Sequence, residues 1–199
     1  MTSNTVANGS IELYWIPLGA EGTGFVRLNG RIYEAIMSRR EGRASLSLCH
    51  TALQVHVPEG RYVVETMWPS PDTDTTTRGV VVSGPVWSQM LAGWRTFRYE
   101  VRCWREGVLP DADMAVGGPR RVSGDLDQAR RLLECASSVP SLTWGRRPDR
   151  ASEMWNSNSV ISWLLAQAGL PMTAIAPPDG HRAPGWETGV RVARVSHAA

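Results

Sequence analysis

The stretch Met154-Trp155-Asn156-Ser157-Asn158-Ser159-Val160-Ile161-Ser162-Trp163-Leu164-Leu165-Ala166-Gln167-Ala168-Gly169 decides how this chain is read, because a polar Asn/Ser lead-in runs directly into an apolar segment closed by glycine. Val160, Ile161, Leu164, Leu165 and Ala168 recur at i, i+1, i+4, i+5 and i+8, the spacing of one face of an α-helix about three turns long. Gly169 supplies a left-handed stop, and Pro171 prevents resumption. Asn156, Ser157, Asn158 and Ser159 can each accept a bond from the first free N–H groups, so four residues compete for one cap. Two readings stand side by side. One is a well-capped core helix. The other makes Ser157 a nucleophile, its hydroxyl at the positive end of the backbone dipole with free N–H groups beside a developing oxyanion.

A serine nucleophile requires a base, and the best histidine lies in Leu48-Cys49-His50-Thr51-Ala52-Leu53-Gln54-Val55-His56-Val57. Its β-branched content and the Pro58-Glu59-Gly60 turn predict a strand feeding a hairpin, with Arg61-Tyr62-Val63-Val64-Glu65-Thr66-Met67-Trp68 returning. With the turn centred near Glu59, Glu65 falls opposite Ala52 or Leu53, on the His50 face and one diagonal step away. A carboxylate there can fix the tautomer and orientation of His50. A strand histidine with one hydrogen bond and no chemical task fits the same residues.

Composition narrows the class. A chain of 199 residues suits a single domain at 11–199 after a flexible start at 1–10, and 42% hydrophobic with 20% charged residues is a globular balance. A net charge of +2, with arginine pairs scattered, offers no basic block to track a phosphate backbone, so no nucleic-acid partner is expected. Residues 1–10 lack a basic start followed by an apolar run, and no stretch of about 18 apolar residues exists to span a bilayer. A cytoplasmic protein with no membrane partner is the expectation. Cys49, Cys103 and Cys135 are odd in number and lack C-x-x-C spacing, which fits reduced thiols in small core positions. No metal or cofactor is expected: His50 and His56 share a strand face too far apart to chelate, and His181 and His197 fall in irregular segments.

The remaining chain reads as α+β. Strands are predicted at 11–16, 78–82 and 97–103, the last alternating most cleanly. Helices are predicted at 31–40 with Asn29 as cap, at 85–94 opened by Pro85, and from Ser123 to about Ala136. Gly19 to Gly24 reads as a turn before a short apolar piece at 25–28. Residues 69–77, 107–119 and 176–186 read as loops, Trp186 holding the last one down. The run 188–195 suits a short helix or a strand.

A histidine strand followed by more strands, then a helix opened by Asn156-Ser157-Asn158, resembles the circularly permuted branch of the NlpC-type papain-like enzymes. That branch includes relatives of lecithin:retinol acyltransferase and deubiquitinase- or desumoylase-like peptidases. The resemblance rests on the triplet, on Cys49-His50-Thr51-Ala52-Leu53 and on Leu13-Tyr14-Trp15-Ile16-Pro17-Leu18-Gly19, which fits the first strand. It implies an antiparallel sheet packed against a nucleophile-bearing helix. The family's nucleophile is usually cysteine, whereas Ser157 stands here. An alcohol depends wholly on a base and a preformed oxyanion site. Ser157 can therefore be a true serine nucleophile, a serine substituted for cysteine, or the mark of a relative that binds without reacting.

The expected function is a hydrolase or acyltransferase acting on a small-molecule or peptide amide, ester or thioester. Ser157 attacks, His50 transfers the proton, and Glu65 orients the ring. Asn158 or Gln54 would join the Ser157 N–H at the oxyanion, with Trp155 a further substrate contact. The alternative is a ligand-binding relative whose Trp144, Trp155, Trp163 and Trp186 line a recognition groove.

Overall fold

The computed structural model describes residues 9–18, 42, 45–69, 78–91, 93–148 and 151–196. The expected turn at 19–24, the piece at 25–28, the helix at 31–40 with Asn29, and His197 lie outside the described residues, as does most of the flexible start. Ser10, assigned to that start, is buried and begins the first strand.

Strand β1 (Ser10–Pro17) pairs antiparallel with β2 (Ser47–Val57), which turns at Pro58-Glu59 into β3 (Gly60–Met67). β4 (Val80–Pro85) and β5 (Arg98–Arg105) extend that edge, and β6 (Arg120–Ser123) flanks β1, giving the order β4-β5-β3-β2-β1-β6. A two-residue strand, β7 (His181–Arg182), joins the start of β2 in parallel. Three α-helices lie among the described residues: α1 (Leu126–Cys135), α2 (Ser157–Gln167) and α3 (Trp186–Ser196). The architecture is mixed α+β, as the sequence indicates, with a predominantly antiparallel sheet.

Strand alternation divides the side chains between two faces. Ile11, Leu13, Trp15, Leu53, Val55, Val64 and Val101 point into the main core, where Ile161, Leu164 and Leu165 of α2 cover them. Tyr14, Ile16, Ala52 and Val63 point the other way, against Leu109 and Ala115 of the 107–119 loop. That loop is tied to β1 by the Val116 N–H on the Trp15 carbonyl (2.8 Å).

Three local expectations are corrected. The predicted helix at 85–94 is an excursion with 3-10 turns at Gln89–Leu91 and Arg95–Phe97, because Trp87 takes φ +62° immediately after β4 and breaks any helical path. Of its apolar spacing only part is exposed: Val86 is buried, whereas Trp87 is 63% and Met90 92% exposed. The cap of α1 is Asp125, whose Oδ1 accepts from the Asp127 and Gln128 N–H groups, while Ser123 ends the unforeseen β6. The Pro-rich 176–186 loop contains β7, so His181 sits in regular structure.

Candidate active site

Helix α2 begins with a capping box. Asn156 accepts from the Asn158 and Ser159 N–H groups (3.0 and 3.2 Å), and the Asn156 N–H donates to Ser159 Oγ (3.2 Å). The cap leaves over the N–H of Ser157, the first residue of the helix. Ser157 itself is 9% exposed. At the other end Gly169 takes φ +82°, the left-handed stop read from the sequence.

Asn158 binds this helix end to β2. Its Oδ1 accepts from Thr51 Oγ1 (3.0 Å), and its Nδ2 donates to the carbonyls of Cys49 (3.0 Å) and Pro184 (2.9 Å). Cys49 and Thr51 are the two chain neighbours of His50. This contact falls where β2 and β3 part: their register runs from Val57↔Gly60 to Leu53↔Val64, and β7 takes the β2 edge at Ser47 and Leu48. Asn158, the residue after Ser157, thus packs the start of α2 against the stretch of β2 that carries His50.

His50 alternates away from Thr51. Opposite Ile16 in the β1–β2 register, it belongs to the loop-covered face. Continuing the hairpin register from Leu53↔Val64 sets Glu65 beside Ala52, on that same face, as the sequence predicts. A carboxylate of the 107–119 loop, Asp111, also acts on the imidazole through its charge. Burial lowers the His50 pKa from its ordinary value and the Asp111 carboxylate partly opposes that, so the ring is neutral near pH 7. Glu65 is 7% exposed, and burial with the nearby Asp111 pushes its carboxyl up to about 7 against the pull of Arg102. Arg102 is committed to Glu100, donating from Nε and Nη2 to Oε2 (3.2 and 2.8 Å), while Arg78 donates to Oε1 (3.0 Å).

The other expected site residues fare differently. Asn158 has both ends of its amide engaged in the clamp, so its side chain is a structural tie and no oxyanion donor. Gln54 lies four residues along β2 from His50, about 13 Å away, and is ruled out by that separation. Trp155 is fully buried, its Nε1 donating to Tyr99 Oη (3.2 Å), so its ring is core and no substrate contact. Trp163 and Trp186 are also buried and line no groove; Trp144 is half-buried between Tyr99 and Trp68. Trp68, Trp87 and Trp94 are the exposed indoles among the described residues. Asp111 was missed because it sits in a turn with no periodic signal. Only its position after Pro110 and Leu109, an apolar residue that packs on the sheet, hints that the turn covers a core.

The thiols of Cys49 and Cys103 are pushed up to about 11 by burial, which leaves them poor nucleophiles. Among the described residues no group of three or more His, Cys, Asp or Glu side chains can hold a metal ion, and no helix is long and apolar enough to cross a membrane. Comparison with family models, with curated proteins and with solved structures finds no match to this chain.

Proposed function

We propose that this protein is a serine hydrolase of permuted papain-like design, cleaving an amide, ester or thioester of a small molecule or peptide through an acyl-enzyme. One observation supports the proposal: Asn158, the residue after Ser157, ties the start of α2 to both chain neighbours of His50. In the reaction Ser157 Oγ attacks the acyl carbon and His50 takes the hydroxyl proton and returns it to the leaving group, which requires the His50 ring to turn past the β2 edge from the loop-covered face where strand alternation sets it. The leftover Ser157 N–H donates to the oxyanion. Water activated by His50 then releases the acid, or an acceptor other than water takes the acyl group, which is the acyltransferase variant of the same site. The unpaired cysteines fit a reducing, cytoplasmic setting, with no nucleic acid or membrane as partner.

Intact-mass detection after incubation with a panel of activated acyl compounds tests this. The expected result is an acyl adduct on the natural protein, a stronger one on Ser157→Cys, and none on His50→Ala. Full turnover by Ser157→Ala contradicts it.

A second reading is favoured by the alternation of β2, which directs the His50 ring to the face away from α2, and by the exposed indoles of Trp68 and Trp87. On that reading the protein binds a ligand without reacting. Saturable acyl-compound binding with no adduct and no product would select it.

A further inference from the structure

We propose that the tip of the β4–β5 hairpin, residues 86–97, is a docking surface for an acidic peptide segment, which adds as a further strand along the outer edge of β4. Binding there requires no reaction at Ser157, so this surface goes beyond the hydrolase reading and stands without it. The root of the tip is closed by the Val86 N–H, which donates to the Phe97 carbonyl (2.8 Å). Beyond that bond Trp87, Met90 and Trp94 are each more than half exposed, as is Trp68 just after β3. Large apolar side chains gathered at the surface, with tryptophan and arginine foremost, mark a place of contact. Trp87 is held outward against its backbone preference, because a φ of +62° is rarely adopted by a bulky residue. Its N–H donates to the Trp144 carbonyl (2.9 Å), and its own carbonyl accepts from Arg146 Nε (2.7 Å). The ring lies over Gly145, where an added Cβ would come within 3.1 Å of Trp87 Cδ1. Trp144 packs in turn against Trp68, ring centroids 5.8 Å apart. The exposed indoles of Trp68 and Trp87 thus flank the Trp144-Gly145 step.

Charge and backbone together select the occupant. The hairpin tip, the Arg98 that follows it and the adjoining strip 141–148 carry Arg95, Arg98, Arg146 and Arg147 and no carboxylate. Arg98 Nε is engaged by Ser83 Oγ (3.0 Å), while Arg95, Arg146 and Arg147 are exposed. A partner rich in Asp or Glu meets attraction here with no acid to oppose it. Aromatic rings beside arginines also suit a single-stranded nucleic acid or an anionic lipid surface; the edge of β4 favours the peptide. β4 ends the strand order, and its outer edge is covered from Ser83 onward, where the Ser83 carbonyl accepts from Ser141 Oγ (2.9 Å) and the Pro85 carbonyl from the Trp144 N–H (2.8 Å). Among the described residues no strand pairs with that edge at Val80–Val82. Edge N–H and C=O groups are matched in register by an extended peptide, and by neither a nucleotide chain nor a lipid. A strand added at Val80–Val82 leads on to the 141–148 strip and the hairpin tip, which lie beyond Ser83 along the same edge.

Fluorescence anisotropy with the full chain tests this, using a fluorescein-labelled random glutamate–tyrosine copolymer as the acidic probe and a lysine–tyrosine copolymer as its opposite. The glutamate copolymer should bind saturably, and the lysine copolymer at least about 10-fold more weakly. Trp87→Asn, in which asparagine tolerates the positive φ, and Arg147→Glu, at an exposed position, should each weaken the glutamate copolymer at least about 5-fold with little change in Tm. On saturation, amide hydrogen exchange at Val80–Val82 should slow, a mark of strand addition that attraction between charges does not leave. Equal binding of the two copolymers, unaltered affinity in either variant, or unchanged exchange at Val80–Val82 overturns the proposal. So does tighter binding of a labelled single-stranded oligothymidylate, or of phosphatidylserine–phosphatidylcholine vesicles, than of the glutamate copolymer. Ser157→Ala should bind the copolymer as the natural protein does, so failure of the hydrolase reading leaves this result standing.

Discussion

The two faces of the sheet solve the problem of buried polar groups in opposite ways. Toward the helices, Asn158 enters an apolar core and satisfies its amide with Thr51, Cys49 and Pro184, so the polar group acts as a fastener. Toward the 107–119 loop, Glu65 and Asp111 each keep a buried oxygen with no hydrogen-bond partner among the described residues, and burial pushes the Glu65 carboxyl up to about 7. Buried polar groups that are fully bonded specify a structure, whereas those left partly bonded retain the capacity to exchange protons. The contrast predicts that substitutions on the helix face act mainly on stability and those on the loop face mainly on pH dependence.

Asn158→Ala should have the largest effect. It strips the Cys49 carbonyl and the Thr51 hydroxyl of their partner in a buried setting, costing about 4 kcal/mol, to be read from urea unfolding. A loss under 1 kcal/mol would mean the clamp is not what holds α2 to β2.

Glu65 gives the next largest effect, and its sign is opposite to that of an ion-paired acid. Its carboxyl holds a proton to about pH 7 when folded and only to about 4.5 when unfolded. The resulting stability is complete below pH 4.5 and is lost as pH rises through 7, on the order of 3 kcal/mol in all. Unfolding midpoints should therefore fall between pH 5 and 8 in the natural protein and fall less in Glu65→Gln. Equal declines in the two proteins would remove Glu65 from the account.

Gly189→Ala comes third. Helices α2 and α3 approach so closely here that an added Cβ would overlap the Ser159 carbonyl and the Ser162 hydroxyl. Overpacking of this kind costs roughly 1–3 kcal/mol, visible as a lower Tm. Trp87→Asn is the smallest, a change under about 0.5 kcal/mol, since the indole is exposed and asparagine tolerates the positive φ. A drop of several kcal/mol would show that Trp87 packs more tightly than its exposure indicates.

Local signals made much of this legible. The Pro58-Glu59-Gly60 turn fixes the hairpin register, and period-two alternation then carries Glu65 to the His50 face. Helix α2 has both its cap and its stop written in the chain, at Asn156 and Gly169. The segment after Pro85 misled because Val86, Trp87, Met90 and Trp94 have helical spacing, yet that spacing reports burial only when the backbone follows a helix, and Trp87 does not. Strand β6 is four residues long with two exposed arginines, so no alternation announces it. The triplet Asn156-Ser157-Asn158 marks the start of α2 but not what each of its side chains does there. That Asn158 bonds to β2 is a tertiary outcome. So is Asp111, whose meaning comes from a loop folding across the far side of the sheet.

The proposed coupling of Ser157 to His50 is tested most directly by the rate at which a fluorophosphonate labels the protein as pH is varied. Labelling should occur at Ser157, rise as His50 loses its proton, and fall by at least about 100-fold in His50→Ala. Labelling of Ser157 at an unchanged rate in His50→Ala, or an adduct at a different residue, would contradict the account.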